Sequence, residues 1–221
     1  MAFLSKAYFD FFDELESNNN KEWFDAHRAE YENNVKQPFK ELTTFLIEEI
    51  SRFDDTVTRD VSKCIFRINK DVRFSKDKSP YKLNMAAVFG ENGKKTEKPS
   101  YYIHIGNKEL FIGGGMYAVS KEDLNKIRQE IFYNSGEFTA VLNKAEFKKY
   151  FGEIQGEKNK IVPEEYREFL KKQPYIANKQ FYTGAVFSRE EVVAEGFEQK
   201  VIDCFKAVKP LNDFLLEAIL D

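Results

Sequence analysis

Hydrophobic residues recur at intervals of three and four positions through the first third of the chain, a spacing that predicts amphipathic helices. The first helix covers Tyr8 to Leu15 and ends at the polar run 17–20. Asn20 can cap a second helix, and Pro38 suits the first turn of a third. The expected inward-facing residues are Trp23, Phe24, His27, Tyr31 and Val35 in the second helix, and Phe39, Leu42, Phe45, Leu46, Ile50 and Phe53 in the third. Residues 1–55 are therefore expected to be helical.

From Lys63 the hydrophobic period changes from 3.6 to 2, which indicates strands. Four short β-prone runs follow, over residues 64–74, 83–89, 101–105 and 109–113. Asn92-Gly93 and Gly106-Asn107 supply turn signals, so we expect an antiparallel meander within residues 60–116. The stretch 180–187 fits either a fifth strand or an extended loop.

Helical spacing returns after the meander and predicts helices over residues 120–221. Ser120 and Asp123 resemble a capping box, and Ser188 with Glu191 form a fuller one that opens the last helix. The order of helices, meander and helices predicts an α+β fold. We expect an antiparallel β-meander of four to five strands, packed with helices from the N- and C-terminal thirds in one domain over residues 1–221.

Composition and charge narrow the class of protein. With 42% hydrophobic and 32% charged residues, the chain is neither collagen-like nor largely disordered. Aromatic residues make up 15%, which predicts a core filled by Phe and Tyr. Cys64 and Cys204 form neither a disulfide framework nor a metal pair, and no run of about 18 apolar residues predicts a membrane span. Acidic residues near the start argue against a signal peptide, so we expect a cytoplasmic protein.

The segment 64–74, if extended, has two different faces. Cys64, Phe66, Ile68, Val72 and Phe74 would share one face with Lys70, and Arg67, Asn69, Asp71 and Arg73 would share the other. Residues 59–82 contain eight basic and three acidic residues, a local charge of +5 on a chain of net charge −3. A local positive field concentrates anions. The alternative is a solvated sheet surface with weak cross-strand salt links.

A resemblance supports a site at this segment. Arg67-Ile68-Asn69-Lys70-Asp71-Val72-Arg73-Phe74, followed by Asp77-Lys78 and Tyr81, resembles the Arg-x-x-Arg-Asp-x-Arg-Phe signature of a bacterial family catalogued as domain of unknown function 2461. Lys70 stands where the pattern has Arg, which keeps the charge but loses a two-pronged donor. Further matches cover nearly the whole chain: Asn19, Lys21, Trp23, Phe24, Arg28, Tyr31, Tyr101-Tyr102-Ile103-His104, Gly113-Gly114-Gly115-Met116-Tyr117, Leu124 and Arg128. The resemblance implies a shared fold and a candidate site, without a known activity.

Other candidate residues are fewer. Gly113, Gly114 and Gly115 either cradle an anion through their amides or allow a sharp exit from the sheet. His104 fits a cross-strand pair with Glu109, with a general base beside Tyr102 as the alternative. Two His and two distant Cys provide no zinc spacing, so we expect no metal site and no cofactor, although scattered carboxylates leave an oxygen-ligand Mg²⁺ site open.

The leading hypothesis is a cytoplasmic domain that binds, or acts on, a small anionic or phosphorylated ligand. Its expected ligand-binding residues are Arg67, Asp71, Arg73, Lys78, Tyr81, Gly113, Gly114, Gly115 and Arg128. One alternative is nucleic-acid binding through residues 59–98, with Tyr101 or Tyr102 stacking on bases, which the net negative charge makes the weaker hypothesis. The other is a protein-interaction module without catalytic activity. The residues leave the oligomeric state open.

Overall fold

The computed structural model describes residues 2–220 and contains one four-stranded antiparallel sheet with the strand order β1-β2-β3-β4. The strands are β1 (Asn84–Phe89), β2 (Ser100–Gly106), β3 (Leu110–Met116) and β4 (Phe181–Val186). The helices are α1 (Lys6–Ser17), α2 (Lys21–Ala26), α3 (Arg28–Glu30), α4 (Gln37–Ile50), α5 (Val61–Cys64), α6 (Lys121–Tyr133), α7 (Ser135–Leu142), α8 (Ala145–Tyr150), α9 (Arg189–Val193) and α10 (Phe197–Leu220). The predicted α+β class is confirmed. The stretch 180–187 holds the last strand.

The prediction of a strand over residues 64–74 is wrong. Asp60 caps α5 by accepting the N–H of Ser62, so the chain is helical up to Cys64. Beyond it, two isolated bridges remain, from Ile65 to Ala87 and from Asn69 to Tyr81. Alternating apolar and polar residues fit such a loosely bridged segment as well as a full strand, because the pattern does not specify a continuous ladder of partners.

A π-helical turn, Tyr31–Lys36, joins α3 to α4 and makes residues 28–50 one continuous helical run. The sequence predicted separate second and third helices that meet near Pro38. Pro38 lies in the first turn of α4, where its missing N–H costs little, but the backbone before it remains helical. π-helical turns are rare and occur frequently at functional sites.

By its internal contacts the chain divides into two compact units. The first unit contains the chain up to Lys95 together with Tyr102–Ile112 and Val186–Ile202. The second unit contains Thr96–Tyr101, Gly113–Ala185 and the chain from Asp203 onwards. The single domain expected from the sequence therefore stays a prediction.

Aromatic side chains fill the interiors of both units, as the composition predicts. Nine of the twelve largest fully buried side chains among residues 2–220 are Phe or Tyr. In the first unit, α1 packs Tyr8 against Phe12, with ring centroids 5.2 Å apart. In the second, Phe138 of α7 lies 5.1 Å from Phe214 of α10. No helix within the described residues is both long enough and apolar enough to span a membrane.

Candidate functional site

A groove of about 610 Å³ lies in the first unit, beside the continuous helical run of residues 28–50. Its lining comes from this run, from the segment 61–69 and from single residues further along the chain: Phe24, Arg28, Tyr31, Glu32, Lys36, Lys40, Val61, Ser62, Ile65, Phe66, Arg67, Ile68, Asn69, Tyr81, Met85 and Lys94. Five of these side chains are basic and one is acidic. The lining therefore carries a charge of +4 on a chain whose net charge is −3.

The helical wall of the groove presents Arg28, Glu32, Lys36 and Lys40, spaced four residues apart. Arg28 donates to Asp25 at 2.5 Å, and Lys36 pairs with Glu32 at 2.8 Å. Lys40 is exposed, and no acidic side chain within residues 2–220 pairs with it. The single carboxylate of the lining is thus already paired, and the charge of Lys40 remains uncompensated.

Arg67 is a second basic side chain of the groove that makes no ion pair in the described part of the chain. It is exposed, and its backbone carbonyl accepts a hydrogen bond from Nζ of Lys82 at 3.1 Å. Burial lowers the pKa of Lys82, and the nearby charge of Arg67 lowers it further. These two cations therefore reinforce a positive field that an anion would relieve.

Lys94 holds helix α5 through hydrogen bonds to its backbone and does not pair with an acidic side chain among the described residues. Its Nζ donates to the backbone carbonyls of Ser62 and Ile65, at 2.9 Å each. An ammonium on the carbonyl end of a helix is electrostatically favourable. This contact holds the start of the 65–69 segment in place and keeps a positive charge at the groove.

Three buried aromatic rings form a rigid apolar part of the lining. Phe24 stacks on Tyr81 with ring centroids 4.0 Å apart and planes inclined by 17°, and it lies 5.0 Å from Tyr31. The Tyr31 hydroxyl donates to Sδ of Met85 at 3.7 Å. Burial raises the pKa of Tyr31 to about 12, so its hydroxyl stays protonated at neutral pH. The lining thus combines a neutral aromatic part with exposed cationic side chains.

Of the residues predicted from the sequence, Arg67 and Tyr81 line this groove, and Asp71, Arg73 and Lys78 do not. Asp71 accepts two hydrogen bonds from the Arg73 guanidinium, at 2.9 Å from Nε and 2.6 Å from Nη2. These bonds lower the pKa of Asp71. Lys78 donates to the carbonyl of Val72 at 2.9 Å. Arg73 is therefore locally neutralised on an exposed loop.

The same loop explains why lysine is accommodated at position 70. Nζ of Lys70 pairs with Asp77 at 2.7 Å and donates to Ser79 at 2.8 Å. Lys70 is also the main cause of the lowered pKa of Asp77. These contacts need a point charge rather than a planar fork. Lys70 tethers the two sides of the loop and does not line the groove.

Gly113, Gly114, Gly115 and Arg128 belong to the second unit and do not line the groove either. A Cβ on Gly113 would lie 1.9 Å from the carbonyl oxygen of Thr183 in β4, so these glycines allow strands to approach closely. Arg128 is only 5% exposed, and its Nε donates to the carbonyl of Ile176 at 3.0 Å. Burial lowers its pKa.

Sequence reasoning named Lys94 only within the basic region 59–98 and Arg28 only among the family matches, and it missed Lys36 and Lys40. Arg28, Lys36 and Lys40 form one set on the helical wall. The signal for this set was its spacing in multiples of four within a helical segment. Tyr101, one of the two tyrosines proposed to stack on nucleic-acid bases, is 1% exposed and packs against Phe205 at 5.2 Å, so its ring is not available for stacking. Stacking by Tyr102 stays a prediction. Within residues 2–220, no three His, Cys, Asp or Glu side chains converge closely enough to hold a metal ion.

Comparison with known proteins agrees with the family that the sequence resembles. No curated protein matches the chain. The model of one family, described as conserved hypothetical protein (DUF2461), matches residues 7–214. This match includes the whole groove lining, from Phe24 to Lys94. The chain therefore belongs to the DUF2461 family of conserved hypothetical proteins.

Proposed function

We propose that the first unit binds a phosphorylated ligand in the groove lined by Arg67 and Lys40. The observation that carries the proposal is that both cations face a recess and lack a carboxylate partner within residues 2–220. Elsewhere on this acidic chain basic side chains are commonly paired, as Lys6 is with Asp10 and Lys209 with Asp213. A concentration of uncompensated positive charge in a concave site attracts anions.

Phosphate fits this lining better than a single carboxylate does, because five basic side chains line the groove and a phosphate group carries more negative charge. Arg67 offers a planar fork for two phosphate oxygens, and Lys40 adds a point charge to the same lining. The groove volume lies in the range of about 300–1,000 Å³ that is typical of ligand sites. The buried rings of Phe24 and Tyr81 would contact an apolar part of the ligand.

Titration calorimetry with sodium tripolyphosphate at about 50 mM salt tests the proposal, because screening is weak there. Arg67→Ala and Lys40→Ala should each weaken binding by about tenfold, as expected for the loss of one charge-assisted contact. Arg167→Ala and Lys148→Ala are the matched controls, since both side chains are exposed and belong to the second unit. Their affinity for tripolyphosphate should equal that of the unmodified protein.

Two results would contradict the proposal. One is the absence of heat and of thermal stabilisation with both tripolyphosphate and pyrophosphate at low salt. The other is binding that survives Arg67→Ala and Lys40→Ala together. Both residues are exposed, so the double variant should keep its fold, which far-ultraviolet circular dichroism verifies.

A further inference from the structure

We propose that the ligand of the groove is a single-stranded nucleic acid, whose phosphates follow the helical wall and one of whose bases stacks on Phe74. The inference rests on the proposed function, because it names the class of ligand bound in the same groove. The net negative charge made nucleic-acid binding the weaker hypothesis from the sequence. The structure now favours it, because basic side chains follow one another along the groove wall.

The basic row, defined as Arg28, Lys36 and Lys40, is too long for one phosphate group. To contact the ligand, Arg28 and Lys36 exchange their exposed ion pairs with Asp25 and Glu32 for phosphate contacts, whereas Lys40 is already unpaired within residues 2–220. Twelve residues separate the ends of the row, which corresponds to roughly 18 Å along a helix that rises about 1.5 Å per residue. A ligand that contacts the whole row must repeat its negative charge. A polynucleotide backbone has this property, whereas a singly phosphorylated metabolite contacts only one end of the row.

The π-helical turn keeps this row on one side of the helix. In an α-helix with 3.6 residues per turn, side chains four residues apart advance by about 40° at each step. The wider turn of the Tyr31–Lys36 segment, with its i→i+5 hydrogen bonds, reverses this drift between Glu32 and Lys36. Arg28, Lys36 and Lys40 therefore all reach the groove.

The loop 70–80 extends from the edge of the groove. Asn69 and Tyr81, which both line the groove, form the last bridge before the loop. Hydrogen bonds from the Lys82 N–H to the Ile68 carbonyl and from the Lys70 N–H to the Pro80 carbonyl, both 2.8 Å long, flank this bridge. The loop is therefore continuous with the groove wall.

Phe74 projects from this loop and is 95% exposed, the largest exposure among the large hydrophobic side chains described. The Arg73 guanidinium lies 5.9 Å from its ring centroid, and Lys76 and Lys78 follow in the chain. An exposed ring does not stabilise the hydrophobic core, because it removes no apolar surface from water. Exposed aromatic rings beside a basic groove are the elements with which proteins bind single strands.

The exposed ring of Phe74 favours a single strand over a duplex. Unpaired bases present their faces for stacking, whereas the paired bases of a duplex are already stacked on one another.

Fluorescence anisotropy with labelled oligo(dT) and oligo(U) of twelve nucleotides, between 50 and 200 mM KCl, tests the inference. Phe74→Ala should weaken binding by about tenfold, and Phe74→Trp should retain it. Tyr133→Ala, which removes another exposed ring, is the matched control and should bind normally. Lys40→Ala should make the slope of log K against log salt less negative by about 0.7.

The outcomes separate this inference from the proposed function. Tripolyphosphate binding without oligonucleotide binding at 50 mM KCl overturns the inference and leaves the proposed function intact. Equal affinity for a twelve-base-pair duplex, or Phe74-dependent binding to phosphatidylserine vesicles without oligonucleotide binding, also overturns it. Failure of both polyphosphate and oligonucleotides removes the proposed function as well. Phe74→Ala should leave tripolyphosphate binding unchanged, because Phe74 lies outside the groove lining.

Discussion

The side-chain amide of Asn19 pairs with both backbone polar groups of Tyr81. Its Oδ1 accepts the Tyr81 N–H at 3.1 Å, and its Nδ2 donates to the Tyr81 carbonyl at 3.0 Å. Tyr81 faces Asn69 in a bridge whose hydrogen bonds are made by neighbouring residues, so its own N–H and C=O point away from that partner. Asn19 thus takes the place of an adjacent strand.

Asn19→Ala should lower the free energy of unfolding by about 2–3 kcal/mol, because it leaves two backbone groups of a buried residue without partners. Urea denaturation followed by circular dichroism measures this loss. Asn18→Ala is the control, since Asn18 donates one exposed hydrogen bond to the carbonyl of Glu14 and should cost less than about 1 kcal/mol. Equal effects of the two substitutions would show that the Asn19–Tyr81 pairing is energetically unimportant.

Gly113→Ala should destabilise the protein by about 3 kcal/mol or more. A Cβ at this position would lie 1.9 Å from the carbonyl oxygen of Thr183, and only a shift of the strand backbone could relieve the clash. Gly136→Ala, within α7, is the matched control, because a Cβ there meets no atom within 4 Å. It should stabilise the protein by about 0.4–1 kcal/mol. Thermal unfolding of the two variants should therefore shift in opposite directions.

His104 should make the protein less stable as the pH falls below about 6.5. Burial lowers the pKa of His104, which stacks on Phe111 at 5.7 Å, so the unfolded chain binds a proton that the folded protein resists. Stability therefore rises with pH between the lowered folded pKa and the unfolded value of about 6.5.

His104→Phe removes this titration and keeps a ring of similar size. The urea midpoint of the unmodified protein should decrease when the pH is lowered from 7.5 to 5, and the urea midpoint of the variant should decrease less. The nearby Glu109, 3.7 Å from Nε2, opposes the effect of burial on the pKa but does not cancel it. An identical pH dependence in both proteins would contradict the prediction.

The periodicity of the sequence identifies those elements whose contacts are local. The α1 stripe, the Asn20 cap that accepts the N–H of Trp23, and the capping box of Ser188 and Glu191 all follow from residues within one or two turns of each other. Each is set by hydrogen bonds or packing at short sequence separation. The stripe and the Asn20 cap are present as the sequence predicts, whereas the capping box opens the short helix α9 instead of the last helix, α10.

The groove depends on contacts that the sequence pattern does not encode. The Arg67 segment was predicted as a strand, yet its position is fixed by Lys94, 27 residues further along the chain, and by Tyr81. The apolar period of residues 28–50 indicates a helix but does not reveal a π-helical turn, because one inserted residue changes the spacing only slightly. The spacing of the basic row is present in the sequence, but its position at the groove depends on this backbone.

Arg189→Lys should destabilise the first unit although the charge is retained. The guanidinium donates to both carboxylate oxygens of Asp13, at 2.7 and 2.6 Å, and its Nε donates to the Asn107 carbonyl at 2.9 Å. A lysine ammonium cannot make all three contacts in this fixed geometry. Because the pair is partly exposed, solvent screening limits the expected loss to about 1 kcal/mol.

The pH dependence of this loss identifies its origin. Hydrogen bonding from Arg189 is the main cause of the lowered pKa of Asp13, so the stabilisation is present above the unfolded pKa of about 3.9 and is lost as the pH falls through the lowered folded value. The difference in urea midpoint between the unmodified protein and Arg189→Lys should therefore be full at pH 7 and shrink towards pH 2. A difference that stays constant over this range would contradict the assignment to the ion pair. The loss would then come from the Asn107 contact and from packing on Phe9, whose ring centroid lies 5.2 Å from the guanidinium.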